Sequence, residues 1–399
     1  MSELRDGRRI GIPPTASARR AIVVVIDACG VGALPDAALY GDEGTNTLLH
    51  VAEAVGGLQL PTLAALGLGN ITALPGVPAA VRPAIHGALH PLGPGKDSTT
   101  GHWEMMGVVL ERPLPVYPEG FPPEVTGSLT AAMGHQVICN RPYNGIAAVE
   151  DFGARHLQSG ALILYTSQDS VLQLAAHTER VPTEELYRAC AAARAAMTGQ
   201  HAVGRVIARP FTGEPGAFRR TEGRRDFALA PPARGYLEEL RSAGVQVHGV
   251  GKIPDLFAGV GVSKSHAGAT NALALTSAGE LLDELDEGLV FVNLIDTDQV
   301  YGHRKDSHGF YRALREIDAW LAARLQQLRK GDLLILTADH GVDPAHPGTD
   351  HTREYAPLLA VLGERSERHD GPLADIGATV LDWLTGRDAE ALPGKSFIS

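Results

Sequence analysis

The sequence predicts an α/β fold: a core built on a parallel central sheet, with a smaller α+β segment inserted into it. Three observations carry this. Short β-branched apolar runs recur and most close on a polar residue, helix-patterned stretches separate them, and a tract rich in Pro and Gly interrupts the alternation. The runs are AIVVVID (21–27), LILYTS (162–167), VQVHGVG (245–251), LVFVNLID (289–296), DLLILTAD (332–339) and APLLAVL (356–362). Near-continuous apolar runs of this length read as strands covered on both faces. Helices are expected at TNTLLHVAEAV (45–55), PTEELYRACAAARAAM (182–197), PARGYLEELRSAG (232–244) and YRALREIDAWLAARLQQLRK (311–330). The last spaces its apolar residues by three and four, and Gly331 follows where a C-cap is expected.

Residues 108–230 read differently, with RPLPVYPEGFPPEV and ARPFTGEPGAFRRTEG breaking the pattern. The expected organisation is a flexible N-terminal tail (1–20), a core from 21–110 and 231–399, and an inserted domain at 111–230.

Composition narrows the function. Lys and Arg total 35 against 46 Asp and Glu, a net charge of −11 over 399 residues, which argues against a nucleic-acid partner. No run reaches the roughly 18 apolar residues of a membrane span, and the arginine-bearing N-terminus lacks the apolar core of a secretory signal. Three cysteines without a CxxC pair point to a reducing cytoplasm. Only six lysines occur, two of them (Lys96 and Lys252) in Gly-flanked motifs.

The polar residues gather where chemistry is expected. Asp27 ends the first run, Asp296 and Asp298 follow another with His303 close behind, Asp339 and His340 follow a third, and His351 sits in the loop GTDHTRE. Open parallel sheets collect functional groups at the carboxyl ends of their strands. Carboxylates crowded there repel unless cations neutralise them. Asp27, Asp298, His303, Asp339, His340 and His351 are six candidate ligands, enough for two metals, and mixed Asp/His donors suit Mn²⁺, Zn²⁺ or Fe²⁺. Each alone also reads as a helix cap, a turn residue or a surface histidine. The segment GKDSTTGHWEMMG (95–107) adds three consecutive hydroxyls, Ser98, Thr99 and Thr100, entering a helix. Such a hydroxyl beside metals becomes a nucleophile, and the same residues equally serve as caps.

Together GKDSTTGHWEMMG, VIDACGVGALPDA, TDQVYGHRKD and TADHGVDPAHPGTDHTREYAPLLA closely resemble the phosphopentomutase family of the alkaline phosphatase superfamily. So do YPEGFP, YTSQDSVLQLAAH, VGRVIARPFTGEPGAFRRT and GKIPDLF, and the resemblance runs from about residue 20 to the C-terminus. It implies an alkaline-phosphatase-like core with an inserted cap, and interconversion of α-D-ribose 1-phosphate and D-ribose 5-phosphate or their 2-deoxy counterparts. Two Mn²⁺ are implied, other divalent metals and a sugar bisphosphate activator being left open. By motif, Asp27, Asp339 and His340 would hold the metal nearer the nucleophile; Asp298, His303 and His351 would hold the other; Asp296 would support the ligands from behind or be structural. By the same motif Ser98 would be the nucleophile, presenting the hydroxyl of the Thr that the family usually has there; Thr99 and Thr100 stand beside it as alternatives. Ser167 and Asp169 would reach sugar hydroxyls, and Arg205, Arg220 and Lys252 would face the second phosphate.

The rival reading is a metal-dependent phosphatase or phosphodiesterase on the same scaffold. A sulfatase lacks support, since no C-x-P-x-R occurs. The phosphoglycerate mutase of the same superfamily and a non-catalytic sugar-phosphate binder rank lower. The expected partners are small pentose phosphates, with no nucleic acid and no membrane.

Overall fold

The computed structural model describes residues 18–167 and 170–399. The fourteen strands among the described residues fall into two sheets. In chain order they are β1 (Arg20–Ile26), β2 (Ile85–His90), β3 (Val137–Pro142), β4 (Leu162–Thr166), β5 (Val171–His177), β6 (Arg205–Thr212) and β7 (Arg219–Arg220). They continue as β8 (Arg225–Ala228), β9 (Val247–Val250), β10 (Lys264–His266), β11 (Gly288–Leu294), β12 (Asp332–Thr337), β13 (Ala356–Val361) and β14 (Gly371–Pro372). The main sheet runs β10-β9-β11-β1-β12-β13-β2-β14.

Its centre is parallel. β1 pairs with β11 (Ile26 opposite Leu294) and with β12 (Val25 opposite Thr337), so the carboxyl ends of all three emerge side by side. Every residue of these strands is buried, which matches their unbroken apolar runs. One expectation needs correction: the sheet is mixed. The run 356–362 forms β13 but pairs antiparallel with both β12 and β2. The loop 338–355 that precedes it turns the chain straight back rather than crossing the sheet face.

Two boundaries also differ. Helix Ser307–Leu325 is capped by Gln326, not Gly331. The segment beyond it is drawn into a turn in which Asp332 accepts from Arg329 N at 2.7 Å and returns its own N–H to Arg329 O at 3.0 Å. The expected tail of 1–20 falls outside the described residues up to 17, but Arg20 is already strand. Its guanidinium forks onto Asp332 at 2.7 and 2.5 Å, and both side chains are buried.

The run LILYTS lies in the second sheet, ordered β3-β4-β5-β6-β7 with β8 also on β6. Here the side-chain alternation of a strand is plain. Leu162 and Leu164 join Leu172, Leu174 and Leu186 in one apolar cluster, while Ile163 and Tyr165 join Ala148, Ala175 and Phe211 in another. The second sheet therefore has an apolar core on each face. Among the described residues no helix is long and apolar enough to cross a membrane.

Candidate metal and nucleophile site

The carboxyl edge of β1, β11 and β12 gathers the expected acids. Asp27 follows β1 directly, its N–H donating to Leu294 O at 3.1 Å, and its side chain is fully buried. Asp339 leaves β12, and one of its oxygens accepts from Ala28 N at 3.1 Å. Asp298 lies in the helical turn after β11. Asp296 does not join them: it exchanges hydrogen bonds with Asn271 at 3.0 and 2.9 Å and anchors the start of helix Asn271–Glu284.

The histidines close the cluster. His340 Nδ1 faces Gly341 O at 3.1 Å, which turns Nε2 to within 3.4 Å of both Asp27 Oδ1 and Asp339 Oδ2. His351 Nε2 and His303 Nε2 each stand 3.3 Å from Asp298 Oδ1. His303 is oriented by Thr349 O, 2.7 Å from its Nδ1. Donor atoms of Asp27, Asp339 and His340 lie within 4.8 Å of one another, as do those of Asp298, His340 and His351. His340 thus borders both groups, and His303 flanks the second through Asp298.

Opposite charges face one another closely in this pocket. Burial opposes ionisation of Asp27, yet Lys252 and His340 hold its carboxyl well below the usual range. Burial and the Asp27 charge both oppose ionisation of Asp298, and His351 with His340 still bring it down. His340 is pushed up to about 10: burial works against the imidazolium, and Asp339, Asp27 and Asp298 overcome it. Three ligand-type atoms, Asp298 Oδ1, Asp339 Oδ2 and His351 Nε2, are buried without a hydrogen-bond partner. Buried polar atoms are ordinarily paired. Convergent carboxylate and imidazole atoms left open in this way fit divalent cations.

The candidate nucleophile arrives from the side. Helix Ser98–Met105 begins at Ser98, and Asp97 caps it, accepting from Thr99 N at 2.9 Å and Thr100 N at 3.1 Å. Thr100 Oγ1 is taken by Asp97 Oδ2 at 2.9 Å, and Thr99 is buried. Ser98 Oγ instead reaches the cluster, 3.1 Å from His340 Nε2 and 3.5 Å from Asp27 Oδ1. Gly101 makes the approach possible, since a Cβ there would lie 2.5 Å from Asp339 O. Upstream, the Glu104 carboxylate receives Leu92 N at 2.5 Å and Gly93 N at 3.0 Å, fixing the entry into this segment; burial raises its pKa to about 6 against those two bonds.

The expected substrate residues are distributed more widely. Lys252 Nζ sits 3.6 Å from Asp27 Oδ2 and 4.0 Å from Asp298 Oδ2, so it belongs to the cluster's rim. Arg205 is on β6 of the second sheet, 3.8 Å from Asp226, and Arg220 is on β7 beside Tyr165. Ser167 follows β4; Asp169 lies outside the described residues.

Sequence reasoning missed two buried polar residues. Glu354 accepts from Thr47 N and Oγ1 (2.9 and 2.7 Å), Thr352 Oγ1 (2.7 Å) and Gly32 N (3.2 Å), tying three segments behind the ligands. A Cβ on Gly30 would lie 2.3 Å from this carboxylate, so that glycine is needed for the approach. Asn293, fully buried in β11, donates to Asp27 Oδ2 at 3.0 Å. Its only signal was an amide within an apolar strand.

The chain matches the model of the metalloenzyme superfamily over residues 19–386. It is 50% identical over 391 residues to the phosphopentomutase of Dictyoglomus turgidum, covering 96% of this chain and 98% of that one. It is also 50% identical over 386 residues to that of Anaeromyxobacter dehalogenans, with the same shares covered. Phosphoglycerate mutase from Leishmania mexicana aligns with a TM-score of 0.50 at 14% identity, over 96% of this chain and 98% of that chain, a likeness of fold alone. By full-length identity at this level, the chain belongs to the phosphopentomutase family within the metalloenzyme superfamily.

Proposed function

We propose that this protein is an isomerase that interconverts α-D-ribose 1-phosphate and D-ribose 5-phosphate, and the 2-deoxyribose pair, through a phosphoserine at Ser98. The observation that carries this is a helix-head hydroxyl aimed between acid–histidine groups, in a chain about half identical to phosphopentomutases. Bound divalent metals, two Mn²⁺ in this reading, would supply Lewis-acid stabilisation of the nucleophile and phosphoryl oxygens. Asp27, Asp339 and His340 would hold one; Asp298, His303 and His351 the other.

The chain's own groups do the rest. Ser98, resting phosphorylated, presents its phosphoryl group at the head of its helix, where the positive end of the helix dipole favours anionic oxygens. The sugar's free hydroxyl attacks in line; the bond to Ser98 Oγ breaks as the new P–O bond forms, giving the 1,5-bisphosphate. That intermediate turns over and returns its other phosphate to Ser98. Lys252, Arg205 and Arg220 bind the phosphate not in transfer, while Ser167 and Asp169 meet the sugar hydroxyls. We assign residues 111–230 to a cap that keeps water from the phosphoserine. Cys29, Cys139 and Cys190 are all free, which favours the cytoplasm as the working compartment.

The test is a coupled assay for ribose 1-phosphate formed from ribose 5-phosphate, with Mn²⁺ and with chelator. Ribose 1-phosphate that disappears with chelator supports the mutase. Release of free phosphate in its place supports a phosphatase.

A further inference from the structure

Two fully buried polar side chains, Asn293 and His102, stand behind the candidate ligands without belonging to them. His102 Nδ1 lies 2.8 Å from the main-chain oxygen of Ser98. A carbonyl only accepts, so Nδ1 carries the hydrogen, and in the neutral ring Nε2 is then an acceptor. Asn293 Nδ2 lies 3.3 Å from that Nε2 and 3.0 Å from Asp27 Oδ2. Its two hydrogens serve these two acceptors, one each. The amide is thereby oriented, and the cost is visible: Asn293 Oδ1 is buried with no partner. His102 Nδ1 also lies 3.3 Å from Asp339 Oδ2.

We propose that Asn293 and His102 are positioning residues that set the carboxylate of Asp27 relative to Ser98. The amide holds Oδ2 of Asp27 at the back of the pocket, which leaves Oδ1 turned toward Ser98 Oγ and His340 Nε2. The imidazole ties the same carboxylate, through the amide, to the main chain of Ser98. Nucleophile and ligand are therefore indexed to one another by side chains that touch neither substrate nor metal. A purely apolar core would fill this space as well and leave no orphan oxygen. Retaining one makes sense where orientation matters more than stability. The inference rests on the reading of Asp27 as a metal ligand.

The experiment titrates Mn²⁺ into metal-free full-length protein and counts unbound Mn²⁺ by electron paramagnetic resonance. Wild type, Asn293→Leu and His102→Gln are compared, each with the melting temperature of its metal-free form. The expected result is that one bound Mn²⁺ weakens by about 10–100-fold in both variants. The other stays within about threefold, and metal-free melting falls by about 5 °C or less, because in Asn293→Leu the donor lost to Asp27 and His102 is partly offset by removal of the orphan oxygen. Unchanged affinity at both sites overturns the proposal. So does parallel weakening accompanied by a collapse of metal-free melting in both variants, since that is a packing role. A wild-type protein that takes up no Mn²⁺ overturns the metal reading itself, and this inference with it.

Discussion

Lys252 holds its ammonium 3.6 Å from Asp27 Oδ2, so a cation of the chain itself shares the space between the candidate ligand carboxylates. Replacing it should act in two opposite directions. Lys252→Met removes a competing positive charge, and Mn²⁺ affinity should rise several-fold by calorimetric titration. The same change removes the charge proposed to face the phosphate, so KM for ribose 5-phosphate should rise by about tenfold or more. A parallel loss of metal and substrate affinity would contradict this division of roles.

Ser98→Ala should abolish turnover and, in intact-mass measurements, the 80 Da phosphoenzyme increment (about one phosphoryl group). Ser98→Thr should retain both, because the hydroxyl remains. Thr100→Val removes only the reciprocal contact with Asp97 and should cost about 1 kcal/mol in denaturant unfolding while still allowing phosphorylation. Label taken up by Ser98→Ala from a sugar bisphosphate would move the nucleophile elsewhere.

Glu104 gives the fold a measurable pH dependence. Its carboxyl is raised from 4.5 to about 6 in the folded chain. The native state therefore binds more protons than the unfolded chain between those values, and stability falls as pH rises through that window. The contribution is roughly 2 kcal/mol at about 1.4 kcal/mol per pKa unit. Glu104→Gln should flatten this part of the stability curve, read as melting temperature from pH 4.5 to 7. An unchanged slope would assign it to other carboxyls.

The buried pair Arg20–Asp332 closes the start of β1 onto β12. Asp332→Ala leaves the guanidinium buried without a counter-charge, held only by the carbonyls of Leu282 and Leu285, and should cost about 3–5 kcal/mol by denaturant unfolding. Replacing both with apolar residues should recover much of that loss.

What could be read in advance follows from how local each signal is. Asp27 and Asp339 each end an apolar run, so the sequence places them at strand ends, and adjacency follows once those strands pair. Local sequence offers three consecutive hydroxyls and only the family motif singles out Ser98; in the fold Asp97 takes Thr100 into the cap and leaves Ser98 at the head. β13 has the composition of its neighbours, but strand direction depends on the path of the loop before it, which apolar content does not encode. Asn293 and Glu354 show no local sign of their roles because each bridges to a segment far away in sequence, 266 residues to Asp27 and 307 to Thr47. A buried amide or acid announces a need for partners without naming them.

The second sheet carries its own apolar core on each face, and this has a mechanical consequence. A layer insulated on both sides keeps its internal spacing whatever its tilt against the main sheet. In the proposed reaction Arg205, Arg220 and Ser167 would travel together as one rigid handle. A swing of that handle would change their reach to Ser98 without disturbing the arrangement at either end. The distance between grip and blade would then be the adjustable quantity, and the proposed bisphosphate, turning end for end between two phosphoryl transfers, would need that gap to open and shut around it.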